Sequence, residues 1–447
     1  RMPALAVRNF GCRANQAEAF AWSETLLGQG VRLTADWSRS DVVLVNSCTL
    51  TGRTDRDVRK FIRRVARDNP AARLVVTGCY AERLPAEVAA LPGVVAVVPN
   101  AEKDMVPRRV LDALGAPGEA ATDAVTALRK RAFVKVQDGC DGGCAFCVIP
   151  SVRGRSVSVP PGEVAARVGE LAGRGFREVV LSGIHLSSYG RDLEPQSSLA
   201  ELVRGLAAVP GLGRLRLSSL DPRRADARLV EELTAEPKVC RHFHLSLQHA
   251  SERVLRLMGR SGGPKEHDRV LREFRRLSPD AALGADVIVG FPGEGEEDFR
   301  MLVDFLERSP LTYFHVFPFS PRPGTALGRG SAESAAYPQQ TTEASSRRTH
   351  DGSPWDSATA VEIPGTGAGT GRLVGVASPS CPASFHPQHS TVPSPSSAQV
   401  ASKPAPTATA SEMPATTTGT GLSWVEPSPS CPYAFSPQHR IVRSPSR

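Results

Sequence analysis

Over the first 115 residues, short apolar runs alternate with amphipathic stretches. Residues 4–8, 41–45, 73–77 and 94–98 are too short for helices and rich in valine and leucine, which marks them as buried strands. Between them, residues 15–28, 53–68 and 85–91 carry apolar positions at helical spacing. This βαβα rhythm predicts a small doubly wound parallel sheet with helices on both faces, occupying residues 1–115. Residues 116–128, opening on Ala116-Pro117-Gly118, read as a linker.

A second α/β series occupies residues 129–330. Its strands are expected at 132–137, 178–182, 215–219, 242–247, 282–289 and 313–318. Its helices are expected at 161–174, 199–209, 226–235, 252–258, 266–277 and 296–307. Six such units predict a partial (β/α)6 barrel, with its chemistry at the C-terminal ends of the strands. The fold class is therefore α/β throughout.

The pattern stops near residue 330. Residues 331–447 are rich in Ser, Thr, Pro, Ala and Gly, and they repeat: Ser378-Pro379-Ser380-Cys381-Pro382 returns as Ser428-Pro429-Ser430-Cys431-Pro432. Without apolar periodicity such a tail cannot offset its ordering entropy, so it is expected to be disordered. A frameshift, a gene-model error or a fusion that has replaced the true carboxyl terminus explains it better than a genuine appendage, because the repeat does not resemble a folded array.

Composition narrows the setting. No apolar run approaches the ~18 residues of a membrane span, and the start lacks a signal-like stretch, so a cytoplasmic protein with no membrane partner is expected. The formal net charge of +8 suits a polyanion partner. Nine cysteines in a chain with no secretory signal point to metal ligation or catalysis rather than disulfides.

The sharpest chemical signal is Gln137-Asp138-Gly139-Cys140-Asp141-Gly142-Gly143-Cys144-Ala145-Phe146-Cys147, directly after a strand. Its C-x3-C-x2-C spacing allows three thiolates to wrap one iron–sulfur cluster and leave one iron open. An open iron can chelate S-adenosylmethionine (SAM) and pass an electron to its sulfonium. A zinc knot would want a fourth ligand at short range, whereas the next cysteine is the distant Cys240. Together with Ile149-Pro150-Ser151-Val152-Arg153-Gly154-Arg155, this stretch resembles the radical-SAM methylthiotransferases, a likeness running over residues 4–329. The resemblance implies that Cys140, Cys144 and Cys147 hold the SAM-cleaving [4Fe–4S] cluster and that Phe146 lies near the SAM adenine.

Three further cysteines share a context: Gly11-Cys12-Arg13, Ser47-Cys48-Thr49 and Gly78-Cys79-Tyr80 each follow an expected strand. In a parallel sheet those loops fall on one edge, so the thiols should converge near helix N-termini. Three buried structural cysteines are the plainer alternative. The family resemblance assigns Cys12, Cys48 and Cys79 to a second [4Fe–4S] cluster.

The later strand ends supply weaker candidates. Gly183 would let backbone approach the SAM methionyl group, and Gly290 would let a ligand approach the backbone. Ser219 and Asp221 could bond the SAM ribose, or Asp221 could simply cap a helix. His185 is a substrate contact or a structural histidine; Gln248 lies where this chain departs from the family pattern. The stretch 183–190 resembles the branch that modifies threonylcarbamoyladenosine in tRNA. That resemblance implies tRNA and a reducing electron donor as partners, and not DNA. Isopentenyladenosine, a ribosomal-protein aspartate, or an inactive iron–sulfur or RNA-binding remnant are the alternatives. Arg56, Arg59, Lys60, Arg63 and Arg64 are expected to form a solvated helix face, whereas Arg129, Lys130, Arg131, Arg153 and Arg155 are expected nearer the cluster as phosphate contacts.

Overall fold

The computed structural model describes residues 3–115 and 131–328, with four strand segments at 358–363, 372–377, 422–425 and 440–443. Five strands, β1 (Ala4–Asn9), β2 (Arg32–Thr34), β3 (Val42–Ser47), β4 (Arg73–Gly78) and β5 (Val94–Val98), form an all-parallel sheet in the order β2-β1-β3-β4-β5. The helices are α1 (Arg13–Gly28), α2 (Gly52–Asp68), α3 (Cys79–Arg83), α4 (Pro85–Ala89) and α5 (Val106–Leu114).

β3 shows why the sheet is doubly covered. Val42 and Leu44 pack with Trp22 and Leu26 of α1 and Val106 and Val110 of α5, whereas Val43 and Val45 pack with Val58, Ile62 and Val65 of α2. All four strand residues are fully buried. Each contributes about 1.5–3 kcal/mol relative to exposure. Four strands were expected and five are present: Arg32-Leu33-Thr34 is too short and polar to show as a strand, and pairing with β1 makes it one. The α5 helix, also unexpected, buries Val106, Val110 and Ala113 at helical spacing.

The second series builds β6 (Arg131–Asp138), β7 (Val157–Ser158), β8 (Glu178–Gly183), β9 (Arg214–Leu217), β10 (His242–Gln248), β11 (Ala282–Val289) and β12 (Tyr313–Pro318). Its helices are α6 (Ile149–Arg153), α7 (Pro161–Gly173), α8 (Leu199–Ala207), α9 (Ala227–Ala235), α10 (Glu252–Leu257), α11 (Pro264–Leu277) and α12 (Glu296–Arg308). β6, β8 and β9 pair in parallel, as do β10, β11 and β12, and bridges Leu215–Val239 and Leu220–Leu245 join the two sets. The result is the expected six-stranded partial barrel, with short β7 antiparallel on the outer edge of β6. Phe243, Leu245 and Leu247 of β10 enter the helix-side core, which leaves the alternate positions His242, His244, Ser246 and Gln248 on the other face.

The two sheets are tied together. Phe20 of α1 meets Phe176 edge-on at 5.7 Å. The Gly52 amide donates to Ser320 Oγ at 3.1 Å, and the buried Arg322 guanidinium reaches Asp55 and, at 2.7 Å, Thr49 Oγ1. The linker expected at 116–128 lies outside the described residues. So does most of the repetitive segment 331–447. Within the latter, β13 (Ala358–Ile363) pairs with β14 (Arg372–Ala377), and β16 (Arg440–Arg443) pairs with β15 (Leu422–Val425) and with the edge of β12.

Candidate active site

The amino-terminal thiols are placed by three neighbouring strands. Cys12 precedes α1, Cys48 follows β3, and Cys79 opens α3 directly after β4. Since β1, β3 and β4 are adjacent, the three loops share one edge. Gly78 at φ 93° turns the chain into α3, and a Cβ there would stand 2.3 Å from the Ser47 carbonyl. Asn15 and Asn46 brace the same edge: Asn15 Nδ2 donates to Asn46 Oδ1 at 2.8 Å, and Asn46 Nδ2 donates to the Asn15 carbonyl at 2.9 Å. Burial pushes the Cys48 thiol far up, and the nearby Cys79 and Cys12 add to it. Burial raises Cys79 also, with Arg153 opposing.

The second thiol set lies on the loop after β6. The Cys140 amide donates to the Gly154 carbonyl at 3.1 Å, the Ala145 amide to Met258 at 2.9 Å, and the Cys147 amide to Cys144 at 3.0 Å. Gly139 adopts φ 68°, and a Cβ on it would lie 1.8 Å from the Arg155 carbonyl, so the loop requires glycine there. The Gly142 amide donates to Cys140 Sγ at 3.2 Å, and Arg260 approaches Cys144 Sγ at 3.7 Å. Burial pushes the Cys147 thiol up to about 12 and raises Cys140 also, with the neighbouring thiols adding to both. Thiols this reluctant to ionise alone become thiolates when a metal supplies the compensating charge. Three free thiols at adjacent strand ends and three more on one loop are donor sets of the kind that two iron–sulfur clusters would take.

The two sets meet. Cys79 packs in one apolar cluster with Val148, Ile149 and Val152, and Cys140 and Cys147 pack against that same cluster.

The remaining sequence candidates ring the thiol loop. Phe146 faces Phe291 edge-on at 6.2 Å, beside the end of β11. Gly183 ends β8 and donates to Ser218 Oγ at 3.3 Å. Gly290 follows β11 at φ 71°, with open space where a side chain would stand. Ser219 is half-buried two residues before Asp221. Asp221 does cap a short helical turn, accepting from the Arg223 amide at 3.0 Å, and it is engaged further. His185 Nε2 lies 3.1 Å away, Arg223 clamps the carboxylate, and Arg260 stands at 3.4 Å. Burial opposes its charge, but the bonds from His185 and Arg223 hold Asp221 well below the usual carboxylate range. His185 is saturated, its Nδ1 meeting Ser188 Oγ at 2.6 Å, so it orients Asp221. Gln248 sits at a β-bulge with φ 71°, a strained backbone at the barrel rim.

The basic residues need correction. Arg153 is not a surface phosphate contact: its side chain is fully buried in ion pairs with Glu18 and Asp138. Arg131 starts β6, roughly 23 Å of strand from the cysteine loop at ~3.3 Å per residue, and pairs with Glu178 at 2.7 Å. Arg155 is exposed beside Asp141, whereas Arg129 and Lys130 lie outside the described residues. A group not singled out from the sequence fills the barrel interior. Asp286 Oδ1 takes His244 Nε2 at 2.9 Å and His315 Nδ1 at 3.0 Å, and the Tyr313 hydroxyl joins His244 to His242. The alternation of His242, His244, Asp286, Tyr313 and His315 along three strands was the signal for it.

Residues 134–306 match the model of the radical SAM superfamily, and residues 4–99 match that of the uncharacterized protein family UPF0004. Barrel and thiol loop thus define a radical-SAM enzyme. The threonylcarbamoyladenosine tRNA methylthiotransferase MtaB of Aquifex aeolicus is 38% identical over 340 residues, which are 73% of this chain and 82% of that protein. The MtaB protein of Thermotoga maritima is 32% identical, over 73% and 77%, and the ribosomal protein uS12 methylthiotransferase RimO of Moorella thermoacetica is 35% identical, over 72% and 77%. The chain belongs to the radical-SAM methylthiotransferase family, whose cofactors are SAM and two [4Fe–4S] clusters. The radical S-adenosylmethionine methyltransferase TsrM of Kitasatospora setae, solved with tryptophan and a SAM analogue, shares the fold at TM-score 0.54 and 16% identity, over 81% of this chain and 79% of that one.

Proposed function

We propose that this enzyme replaces the C2 hydrogen of N6-threonylcarbamoyladenosine at position 37 of tRNA with a methylthio group. Cys140, Cys144 and Cys147 hold the SAM-cleaving cluster, and Cys12, Cys48 and Cys79 hold the second. The observation that carries this is the shared apolar cluster on which Cys79, Cys140 and Cys147 all rest, because the chemistry needs a carbon radical and a sulfur source side by side. When bound, the first cluster and one SAM would supply the electron and the radical that removes hydrogen, the second cluster would hold the sulfur, and a second SAM would supply its methyl group.

The protein's own residues position and exclude. Phe146, Gly183, Ser219 and Gly290 lie at the strand ends that surround the loop, where SAM would bind. Asp221, kept ionised by His185 and Arg223, holds the Arg223 and Arg260 guanidinia in place beside the thiol loop. Val148, Ile149 and Val152 exclude water between the thiol sets, which protects a radical from quenching. The substrate choice is supported by the MtaB relatives named above and by the stretch from Gly183 to Gly190. tRNA and a reducing electron donor are the partners. A cytoplasmic site belongs to the same proposal, since its tRNA substrate is found there. No helix among the described residues is long and apolar enough to cross a membrane.

The test is mass spectrometry of tRNA nucleosides after incubation of anaerobically reconstituted protein with SAM, reductant and tRNA carrying either threonylcarbamoyladenosine or isopentenyladenosine. Methylthiolation of the first alone is expected. Modification of the second, or of neither while a ribosomal-protein aspartate is methylthiolated, rejects the substrate.

A further inference from the structure

Arg153 belongs by sequence to the segment after the Cys140–Cys147 loop but by contact to the amino-terminal thiols. It ends α6, six residues after Cys147, and Gly154, next to it, accepts the Cys140 amide. From there the side chain crosses to the other sheet. Nε lies 3.2 Å from Cys79 Sγ. Nη1 donates to Glu18 Oε1 at 2.9 Å and to Asp138 Oδ1 at 2.8 Å, and Nη2 donates to Asn15 Oδ1 at 3.1 Å. Asn15 is itself 3.3 Å from Cys12 Sγ. One planar fork thus touches the end of β6, the start of α1 and a thiol of the amino-terminal set.

The charges around it do not cancel. Lys103 pairs with Glu18 at 2.5 Å, and Lys135 pairs with Glu18 at 3.0 Å and with Asp138 at 2.7 Å. Three cations therefore share two carboxylates, and the surplus positive charge lies against Cys79. A guanidinium that only joined two domains would need no sulfur contact. One that faces a thiol with its Nε–H is placed to stabilise negative charge on that sulfur.

We propose that Arg153 is a positioning residue for the amino-terminal cluster: it fixes Cys79 against the Cys140–Cys147 loop and donates a charged hydrogen bond to its sulfur. The inference rests on the assignment of Cys12, Cys48 and Cys79 as ligands. Hydrogen bonds and net charge at ligand sulfurs set the potential of iron–sulfur centres. A cation at Cys79 favours the reduced, more negative state, so its removal should lower the potential.

The experiment uses the full chain with Cys140→Ala, Cys144→Ala and Cys147→Ala, reconstituted with iron and sulfide. Onto this parent are placed Arg153→Met, Arg153→Lys, and the pair Arg153→Met with Glu18→Gln, which removes one charge of each sign and preserves the fold if the single change does not. Reduction potential is followed by electron paramagnetic resonance, and iron loss by exposure to a chelator. Arg153→Met should show a lowered potential and iron loss roughly ten- to a hundred-fold faster, and the double variant, which keeps the net charge but loses the Nε–H bond, the same faster iron loss with a smaller fall in potential. Arg153→Lys, keeping charge without the fork, should restore the potential in part. A parent that binds iron, with potential and iron loss unchanged in the folded variants, overturns the role of Arg153 alone. A parent that binds no iron overturns the ligand assignment and this inference together.

Discussion

His185 and Asp221 meet at 3.1 Å across the ends of two neighbouring barrel strands, with Ser188 holding the far side of the imidazole. The carboxylate is oriented from one side by His185 and from the other by Arg223 and Arg260. His185→Ala leaves the two arginines in place, so the fold should survive while the edge facing the thiol loop loosens. The KM for SAM should rise about ten-fold with a smaller change in kcat. Asp221→Asn strands two guanidinia and should destabilise the barrel by about 3 kcal/mol. Steady-state SAM cleavage and thermal denaturation separate the two effects.

Gly139 offers a sharper test of the loop. Its backbone is left-handed, and the carbonyl of Arg155 occupies the space a methyl group would need. Gly143, four residues later, has no atom within 4 Å of that position. Gly139→Ala should reduce 5′-deoxyadenosine formation at least about ten-fold by displacing Cys140, while Gly143→Ala should leave it near normal. Equal activity in the two variants would contradict the packing of this loop.

The pH dependence of stability should be set by histidines before carboxylates. Burial lowers His267 to about 4, with Arg260 adding to the shift, and burial lowers His242 to about 4, with Arg216 adding to it. Neutral imidazole is the folded form, and the unfolded chain takes its proton near pH 6.5. Their contribution is therefore intact above about 6.5, falls as pH drops from there to about 4, and levels off below. Asp286 and Glu18 are held far below the usual carboxylate range, burial opposing and their basic neighbours prevailing, so they add little across that window. His267 is 1% exposed, and its share is on the order of 3 kcal/mol. Urea denaturation between pH 4.5 and 7.5 should show the slope, and His267→Leu should remove about half of it.

Gly284 makes the barrel interior possible. A Cβ there would stand 2.2 Å from Tyr313 Cζ, and Tyr313 is the residue whose hydroxyl joins His242 to His244. Gly284→Ala should cost about 1–3 kcal/mol and lower the melting temperature. Tyr313→Phe keeps the ring and loses only the bridge, so its loss should be smaller.

Much of this was legible in the chain. The six barrel strands follow from short apolar runs separated by helical stretches, and both thiol sets from cysteines that stand just after such runs, because loops at the C-terminal ends of parallel strands share one edge. Arg153 shows what was not. From the sequence it is one of several basic residues near the cluster motif. Its burial depends on Glu18 and Asn15, more than 130 positions earlier, which no local pattern reveals. The same holds for Arg322, whose partner Asp55 lies on another sheet's helix. Strand β2 was missed for the opposite reason, since three residues carry too little pattern to register.

The measurement that most directly tests the two-site assignment is iron per chain after anaerobic reconstitution of three proteins: the native sequence, the Cys140/Cys144/Cys147→Ala variant, and the Cys12/Cys48/Cys79→Ala variant. Two four-iron clusters require about eight irons in the first and about four in each of the others. The four left in each variant should differ in one respect: only with Cys140, Cys144 and Cys147 intact should added SAM perturb the cluster's electron paramagnetic resonance. A tightly bound zinc in place of iron, or an iron count unaffected by loss of either set, would contradict the assignment.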